Sequence, residues 1–600
     1  MSDKVAELRS LLDQDDPSRW VANLWDNHNQ QRRPWIEECL ELRNYIFATD
    51  TSKTSNRNLP WKNSTTTPKL CQIRDNLHSN YISSLFPNDS WLVWKGYSLD
   101  DSIHKKAKAI ESYMSNKCRE SHFRTEVSKL LYDYIDYGNA FATIDFEANY
   151  KVNSLGESIP DYIGPRLRRV SPLDIVFNPL ASSLKDTYKI VRSVKTLGEI
   201  KKLAATQPEQ AFWKGVLDKR EALRRHGGYS VEDYQKAVGY NVDGFGNLYE
   251  YYQSNFVEIL EFFGDYHDTA TGELTTNRII TVVDRKIAVR NVEMPNWFGH
   301  TPIYHVGWRF RPDNLWAMGP LANLVGMQYR IDHLENLKAD AMDLAVWPAI
   351  AITGEVEGNE WGPGAQFFLD EGGNIQEISK NLNGIITTDQ QIQTLEDKME
   401  LYAGAPRQAM GIRTPGEKTA FEVQSLDNAA GRIFQEKITT FEIELLEPSL
   451  NAMLETAVRN MDGHDIVRVM DDDLGVEIFT TITREDITAA GKIRPIGARH
   501  FAKQAQDLQN LTQLTNTPIW EAIKPHTSAI RLTKFIEDVT GLSAYNIFQP
   551  NIAISEQQET QSMINQASGD LAAKQAIDPR QAMQDYAAAD AQAQQQGQPQ

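Results

Sequence analysis

Apolar residues recur at helical spacing through much of the chain, and the breaks between the runs divide it. Trp20, Leu24, Trp25 and His28 recur in one run. After a break at Pro34, Trp35, Cys39, Leu42 and Ile46 repeat the pattern. Residues 51–67 read as a polar loop holding Pro60. Leu70, Ile73, Leu77, Tyr81 and Leu85 then form a 3.6-residue stripe that ends at Phe86-Pro-Asn-Asp89. Two further helices are predicted over 103–118 and 123–137, the second stopped by Gly138-Asn139.

At Ala140 the period changes. Residues 140–146 read as a short strand, and 170–179 as an extended segment bounded by prolines. A polar helical insertion is predicted over 197–237. Strand patterns follow at 257–263, 278–284, 286–292 and 303–308, with turns at 270–272 and 284–286, which predicts an antiparallel meander.

Gly319-Pro320 opens a helical run to about residue 345. Leu321, Leu324, Val325, Gln328, Ile331, Leu334, Leu337, Ala341 and Leu344 lie on its adjoining faces, and it makes a rod of roughly 40 Å. A Gly- and strand-rich insert covers 346–384, and a second helix runs from about 388 to 402, with Ile392, Leu395, Met399 and Tyr402 in register. After the loop 404–418, overlapping capping boxes at Thr414–Glu417 and Thr419–Glu422 start a third long helix, which Pro448 is expected to kink or end. A strand pair over 466–470 and 475–481 and further helices to about 547 follow. The Gln- and Ala-rich stretch beyond 551 reads as mobile. The fold class is α+β, mainly helical.

Composition narrows the function. The chain has 600 residues, 41% apolar and 24% charged, so it suits several globular domains rather than disorder. Its formal charge of −19 argues against a broad sticky surface for nucleic acid, because phosphate contacts are made by excess cations. Three cysteines without a CxxC pair suit a reducing compartment. The first residues alternate in charge with no apolar stretch, which predicts no signal peptide. The longest apolar stretch, at 344–352, contains Pro348 and is far short of a membrane span of about 20 residues.

Catalytic and metal motifs are near misses. Gly411-Ile-Arg-Thr-Pro-Gly416-Glu-Lys418-Thr419 puts Glu417 where a phosphate loop needs its lysine, and no apolar strand precedes it. Asn241-Val-Asp243-Gly-Phe-Gly246 lacks calcium ligands at Phe245 and Tyr252. Asp471-Asp-Asp473 reads as an acidic turn. The histidines show no HxxxH or HxH spacing, and His305 and His500 read as structural. No GxSxG elbow occurs. The expectation is a chain that assembles, with no cofactor and no catalysis.

Two rods flanking a strand-rich insert, then a loop and a third long helix, form an order that resembles the portal, or head-to-tail connector, proteins of short-tailed bacteriophages. Tyr137-Gly-Asn-Ala140 is similar to the family's Tyr-Gly-Asn element, and Ser171-Pro-Leu-Asp174 to its Pro-x-Asp segment. Met318-Gly-Pro-Leu321 with Gln328, Ile331, Asn336 and Trp347-Pro348 resembles its Gly-x-Pro helix, although here Gly319 and Pro320 are adjacent. Thr419-Ala-Phe-Glu-Val423, with Leu445, Leu446, Pro448 and Leu450, resembles the Thr-Ala-x-Glu-Val helix and its Leu-x-Pro ending.

The resemblance implies a portal fold: an N-terminal wing region over 1–318, a first stem helix over 319–345, a clip over 346–387 and a second stem helix over 388–403. A tunnel loop would occupy 404–418, the long wing helix and C-terminal wing 419–499, crown helices 500–550, and the tail 551–600. It implies a homo-oligomeric ring, generally of twelve, at one capsid vertex of the virion, assembled in the bacterial host cytoplasm. Double-stranded DNA would be packaged and ejected through that ring. The implied partners are the terminase large subunit, then the tail adaptor, with the major capsid and scaffolding proteins and no membrane. Arg407, Arg413 and Lys418 would face DNA from the tunnel loop, with pairing to a neighbouring subunit's carboxylates as the other reading. Glu355, Glu357, Glu360, Trp361, Asp370 and Glu371 would serve the docking surface of the clip. The alternatives are another oligomeric virion protein, such as a collar or internal core component, or a packaging NTPase.

Overall fold

A computed structural model describes residues 17–47, 65–152, 156–206, 255–403 and 433–495, with gaps inside these ranges of which 358–367 is the longest, and isolated positions at 213–221, 584 and 587. The chain divides into two compact units, residues 1–465 with 482–499, and residues 466–481 with 500–600. The fold is mixed α and β. Residues 404–432, the expected crown helices over 500–550 and all of the tail but positions 584 and 587 lie outside the described residues, as does most of the predicted insertion.

The chain enters through α1 (Pro17–Gln31), α2 (Arg33–Phe47) and α3 (Lys69–Leu85), then β1 (Leu92–Gly96), α4 (Asp101–Glu120) and α5 (Phe123–Asp136). The hairpin β2 (Asn139–Val152) and β3 (Ser158–Val170) comes next, then β4 (Ile175–Phe177), β5 (Lys189–Thr196), α6 (Leu197–Thr206), β6 (Phe256–His267), β7 (Leu274–Val283) and β8 (Ile287–Glu293). Strands β4 to β8 form one antiparallel sheet in chain order. Val21 and Trp25 of α1 are buried with Val176, Ile190, Leu260, Phe262, Ile280 and Val282 of that sheet. Charge fastens the same contact: Arg285 holds the fully buried Glu258 at 2.8 Å and reaches Asp26 of α1 at 2.7 Å. The corner between α1 and α2 is held by Arg32, whose guanidinium donates to the carbonyls of Pro172, Leu173 and Ile175.

The next strand corrects the predicted meander. β9 (Ile303–Gly307) leaves that sheet and pairs with β2, giving the order β3-β2-β9. His305 decides this placement. It stacks on Phe141 with ring centroids 4.4 Å apart, bonds Asn139 Oδ1 at 3.0 Å, and burial drives its pKa down to about 3. The short strand expected over 140–146 is the base of a hairpin twice that length. A small hairpin, β10 (Arg309–Arg311) and β11 (Asn314–Met318), leads to a 3-10 turn at Ala322–Leu324 and then α7 (Val325–Val346). The helical run thus begins later than Gly319, because Gly319-Pro320 is spent on the turn. Asn139 seats that entry by bonding both the amide and the carbonyl of Ala317.

Four short strands follow, β12 (Ala349–Thr353), β13 (Val356–Glu357), β14 (Phe368–Leu369) and β15 (Asn374–Ile378), then α8 (Asn383–Tyr402). Residues 433–460 are helical, with a π turn over Glu442–Leu446 and a final segment α9 (Glu447–Asn460). Pro448 neither ends this helix nor removes a turn from it. Proline lacks an N–H and crowds the carbonyl four residues back, and the wider π turn just before it absorbs that misfit. Strands β16 (His464–Met470) and β17 (Glu477–Thr483) pair with each other. The short helix α10 (Arg484–Ile487) leads to β18 (Gly491–Pro495), which returns to pair with β1. Among the described residues no helix is long and apolar enough to cross a membrane.

Candidate assembly element: two packed helices with a strand-rich tip

α7 and α8 pack side by side and run in opposite directions. Lys338 Nζ lies 2.6 Å from Asp389 Oδ1, near the start of α8. That pair is largely exposed, so it contributes little to stability. The deeper tie is Lys69, whose ammonium meets Glu400 Oε1 at 2.6 Å and Glu396 Oε2 at 3.9 Å, with both Lys69 and Glu400 buried.

The same N-terminal segment is sewn to α7. Gln328, Asp332 and Asn336 are spaced four apart, which stacks them on one helix face, and all three are buried. The amide of Thr67 donates to Asp332 Oδ1 at 2.9 Å and the amide of Thr65 to Asn336 Oδ1 at 2.8 Å. In return Gln328 Nε2 donates to Thr67 O at 2.6 Å and Asn336 Nδ2 to Thr65 O at 3.3 Å. An extended backbone that would carry unpaired polar groups is thereby satisfied by side chains of a helix. Burial raises the Asp332 carboxyl to about 6, against the pull of the Thr67 amide and Gln328. Its Oδ2, Gln328 Oε1 and Thr66 Oγ1 are buried without a hydrogen-bond partner.

α7 is apolar on more than one side. Ile331 and Leu334 are buried, whereas Tyr329, Met342 and Val346 are exposed, Val346 by 83%. α8 repeats this: Ile392 and Met399 are inside, and Ile386, Leu401 and Tyr402 face solvent. A surface helix normally confines its apolar residues to a single stripe. These helices carry apolar residues that stay exposed among the described residues.

At the far end, β12 pairs with β15 and β13 with β14. Gly354, at a φ of +100°, makes the turn between β12 and β13, where a side chain's Cβ would come within 3.1 Å of Gly373. Of the predicted docking residues, Glu355 is exposed beside this turn and Glu357 lies in β13 opposite Phe368, a side chain 68% exposed. Glu360, Trp361, Asp370 and Glu371 lie outside the described residues, as do Arg407, Arg413 and Lys418. No sequence motif marks the strap of Thr65–Thr67 and Lys69. The signal for it was the polar i, i+4, i+8 series inside an otherwise apolar helix. No protein-family model matches this chain, and no curated protein matches it.

Proposed function

We propose that the chain is the subunit of a portal ring at one vertex of a bacteriophage capsid, the conduit for packaging and ejecting double-stranded DNA. The observation that carries the reading is the helix, strand-module, helix hairpin of α7, β12–β15 and α8, whose two helices each keep apolar residues on an outer face. Side-by-side copies would bury Met342, Val346, Ile386, Leu401 and Tyr402 between subunits and leave the strand module projecting at one end. In this reading the module, with Glu355, Glu357, Glu360, Trp361, Asp370 and Glu371, docks first the terminase and then the tail adaptor. The role is structural and assigns no catalytic step and no cofactor.

The charge supports the same role. Subunits at −19 each make an acidic ring, which disfavours the lasting phosphate contacts that would stall a sliding duplex. Arg407, Arg413 and Lys418 are the cations proposed to guide or brake it. Replacing all three with glutamine is expected to leave ring formation intact while slowing packaging or losing packaged genomes. Unchanged DNA yield and retention would remove that role from the three residues.

A further inference from the structure

We propose that Gln328, Asp332 and Thr66 hold an alkali cation, sodium or potassium, between the strap of Thr65–Thr67 and α7. The inference concerns a single copy of the chain and stands apart from the ring reading. Gln328 and Asp332 sit one turn apart on α7, both with 0% exposure. Gln328 Nε2 donates to Asp332 Oδ1 at 2.9 Å and to Thr67 O at 2.6 Å. Both neighbours are acceptors, so the amide nitrogen faces them and Oε1 is turned away. Asp332 Oδ1 also accepts from the Thr67 amide. What remains at this contact is Gln328 Oε1, Asp332 Oδ2 and Thr66 Oγ1, three buried oxygens with no hydrogen-bond partner.

Oxygens buried in this way cost free energy, a carboxylate most of all. Among the described residues no Lys or Arg pairs with Asp332, and the charge that bears on it is the like charge of Glu335. Four other buried carboxylates each meet a cation: Glu400 meets Lys69, Glu258 meets Arg285, Asp133 meets Arg169, and Asp136 meets Arg74. This fold answers buried negative charge with positive charge, and at Asp332 the described chain supplies none.

A bound water can donate to two of these oxygens, but it leaves the charge unbalanced. A cation answers both needs. Carboxylate, amide carbonyl and hydroxyl are hard oxygen donors, suited to hard cations rather than to metals that seek thiolate or imidazole. With one carboxylate among them the set balances a single positive charge, whereas divalent sites draw on more carboxylates. The ion ties the strap to α7 in addition to the hydrogen bonds that Thr65 and Thr67 make there.

The test uses the full chain dialysed at pH 8 into choline chloride, whose cation is too large for such a site. Replacing choline by sodium or potassium at constant ionic strength is expected to raise the thermal midpoint saturably, on the order of 2–4 °C. The two ions are distinguished by the concentration each requires. Asp332→Asn keeps an acceptor without the charge and is expected to melt alike in all three salts, so its gain over the parent is largest in choline. Thr66→Val removes one oxygen at nearly constant shape and is expected to raise the required concentration several-fold. Equal parent midpoints in choline, sodium and potassium would overturn the site and leave buried water there. A rise with millimolar calcium or magnesium but with neither alkali ion would overturn the assignment of charge. An alkali response kept in full by both variants would place the ion elsewhere on the chain and overturn the site.

Discussion

Gly138 and Gly319 meet backbone against backbone. A methyl group on Gly138 would lie 2.2 Å from the amide nitrogen of Gly319, and one on Gly319 would lie 2.9 Å from the carbonyl oxygen of Ile135. This contact seats the approach to α7 on the junction between α5 and β2, and it joins two segments that the sequence carries far apart. Gly138 also holds a φ of +71°, which an L side chain adopts at a cost of roughly 1–2 kcal/mol. Gly138→Ala is therefore expected to lower folding stability by more than about 2 kcal/mol, read as a fall in the urea midpoint. Gly156→Ala is the control. Its φ is +84° with nothing within 4 Å, so only the backbone preference, about 1 kcal/mol, is lost.

Lys69 and Glu400 form the buried tie between the N-terminal strap and α8. Lys69→Met takes this cation away from the buried Glu400 and is expected to cost about 3–5 kcal/mol. The double variant Lys69→Met, Glu400→Leu removes both charges and should recover most of that loss. Denaturation midpoints of the parent, the two single variants and the double variant measure the coupling. Additive single effects would show that the pair does not act as one unit.

Asp332 ties pH to the same strap. Its folded pKa of about 6 lies above the ordinary carboxyl value, so between about pH 4 and 6 the folded chain keeps a proton that the unfolded chain has released. Stability contributed by this group falls as pH rises through that window, and the penalty is complete above it. Asp332→Asn retains an acceptor for the Thr67 amide without the charge. It is expected to be more stable than the parent by up to about 3 kcal/mol at pH 8, with the difference fading below pH 4. Asp332→Ala instead strands the Thr67 amide and should cost about 1–3 kcal/mol.

Lys189 presents the opposite sign. It is 1% exposed, its Nζ has no hydrogen-bond partner, and burial lowers it to about 8. Between about pH 8 and 10.5 the unfolded chain holds a proton that the folded chain has lost, so stability contributed by this group rises with pH. Lys189→Met is expected to raise stability by about 3 kcal/mol at pH 7, a gain that disappears above pH 10.5. Paired thermal melts at pH 7 and 10 would show it, and a gain equal at both would contradict the assignment.

Local periodicity carried the helices well where one face is apolar. The stripe Leu70, Ile73, Leu77, Tyr81 and Leu85 is buried at every position of α3. It carried partners poorly. β9 looks like the next strand of the meander, and only the hydrogen bond between half-buried His305 of β9 and buried Asn139 of β2 shows why it goes elsewhere. β1 and β18 find each other across about 400 residues of sequence, with Trp94 packed where Gly491 leaves space. Thr65–Thr67 is polar and holds no regular element, so nothing local reveals that α7 replaces the strand it would otherwise need. The helix pair was legible as two rods and an insert. The outward placement of Met342, Val346, Ile386 and Leu401 required the packed structure.

The central claim is that copies of α7 and α8 stand side by side around a bore. Class-averaged electron micrographs of the purified chain, taken with a mass measurement, test it most directly. The account predicts annular particles of many subunits, near twelve, with a central hole wide enough for a double helix. Monomers, or compact oligomers with no central opening, would contradict it.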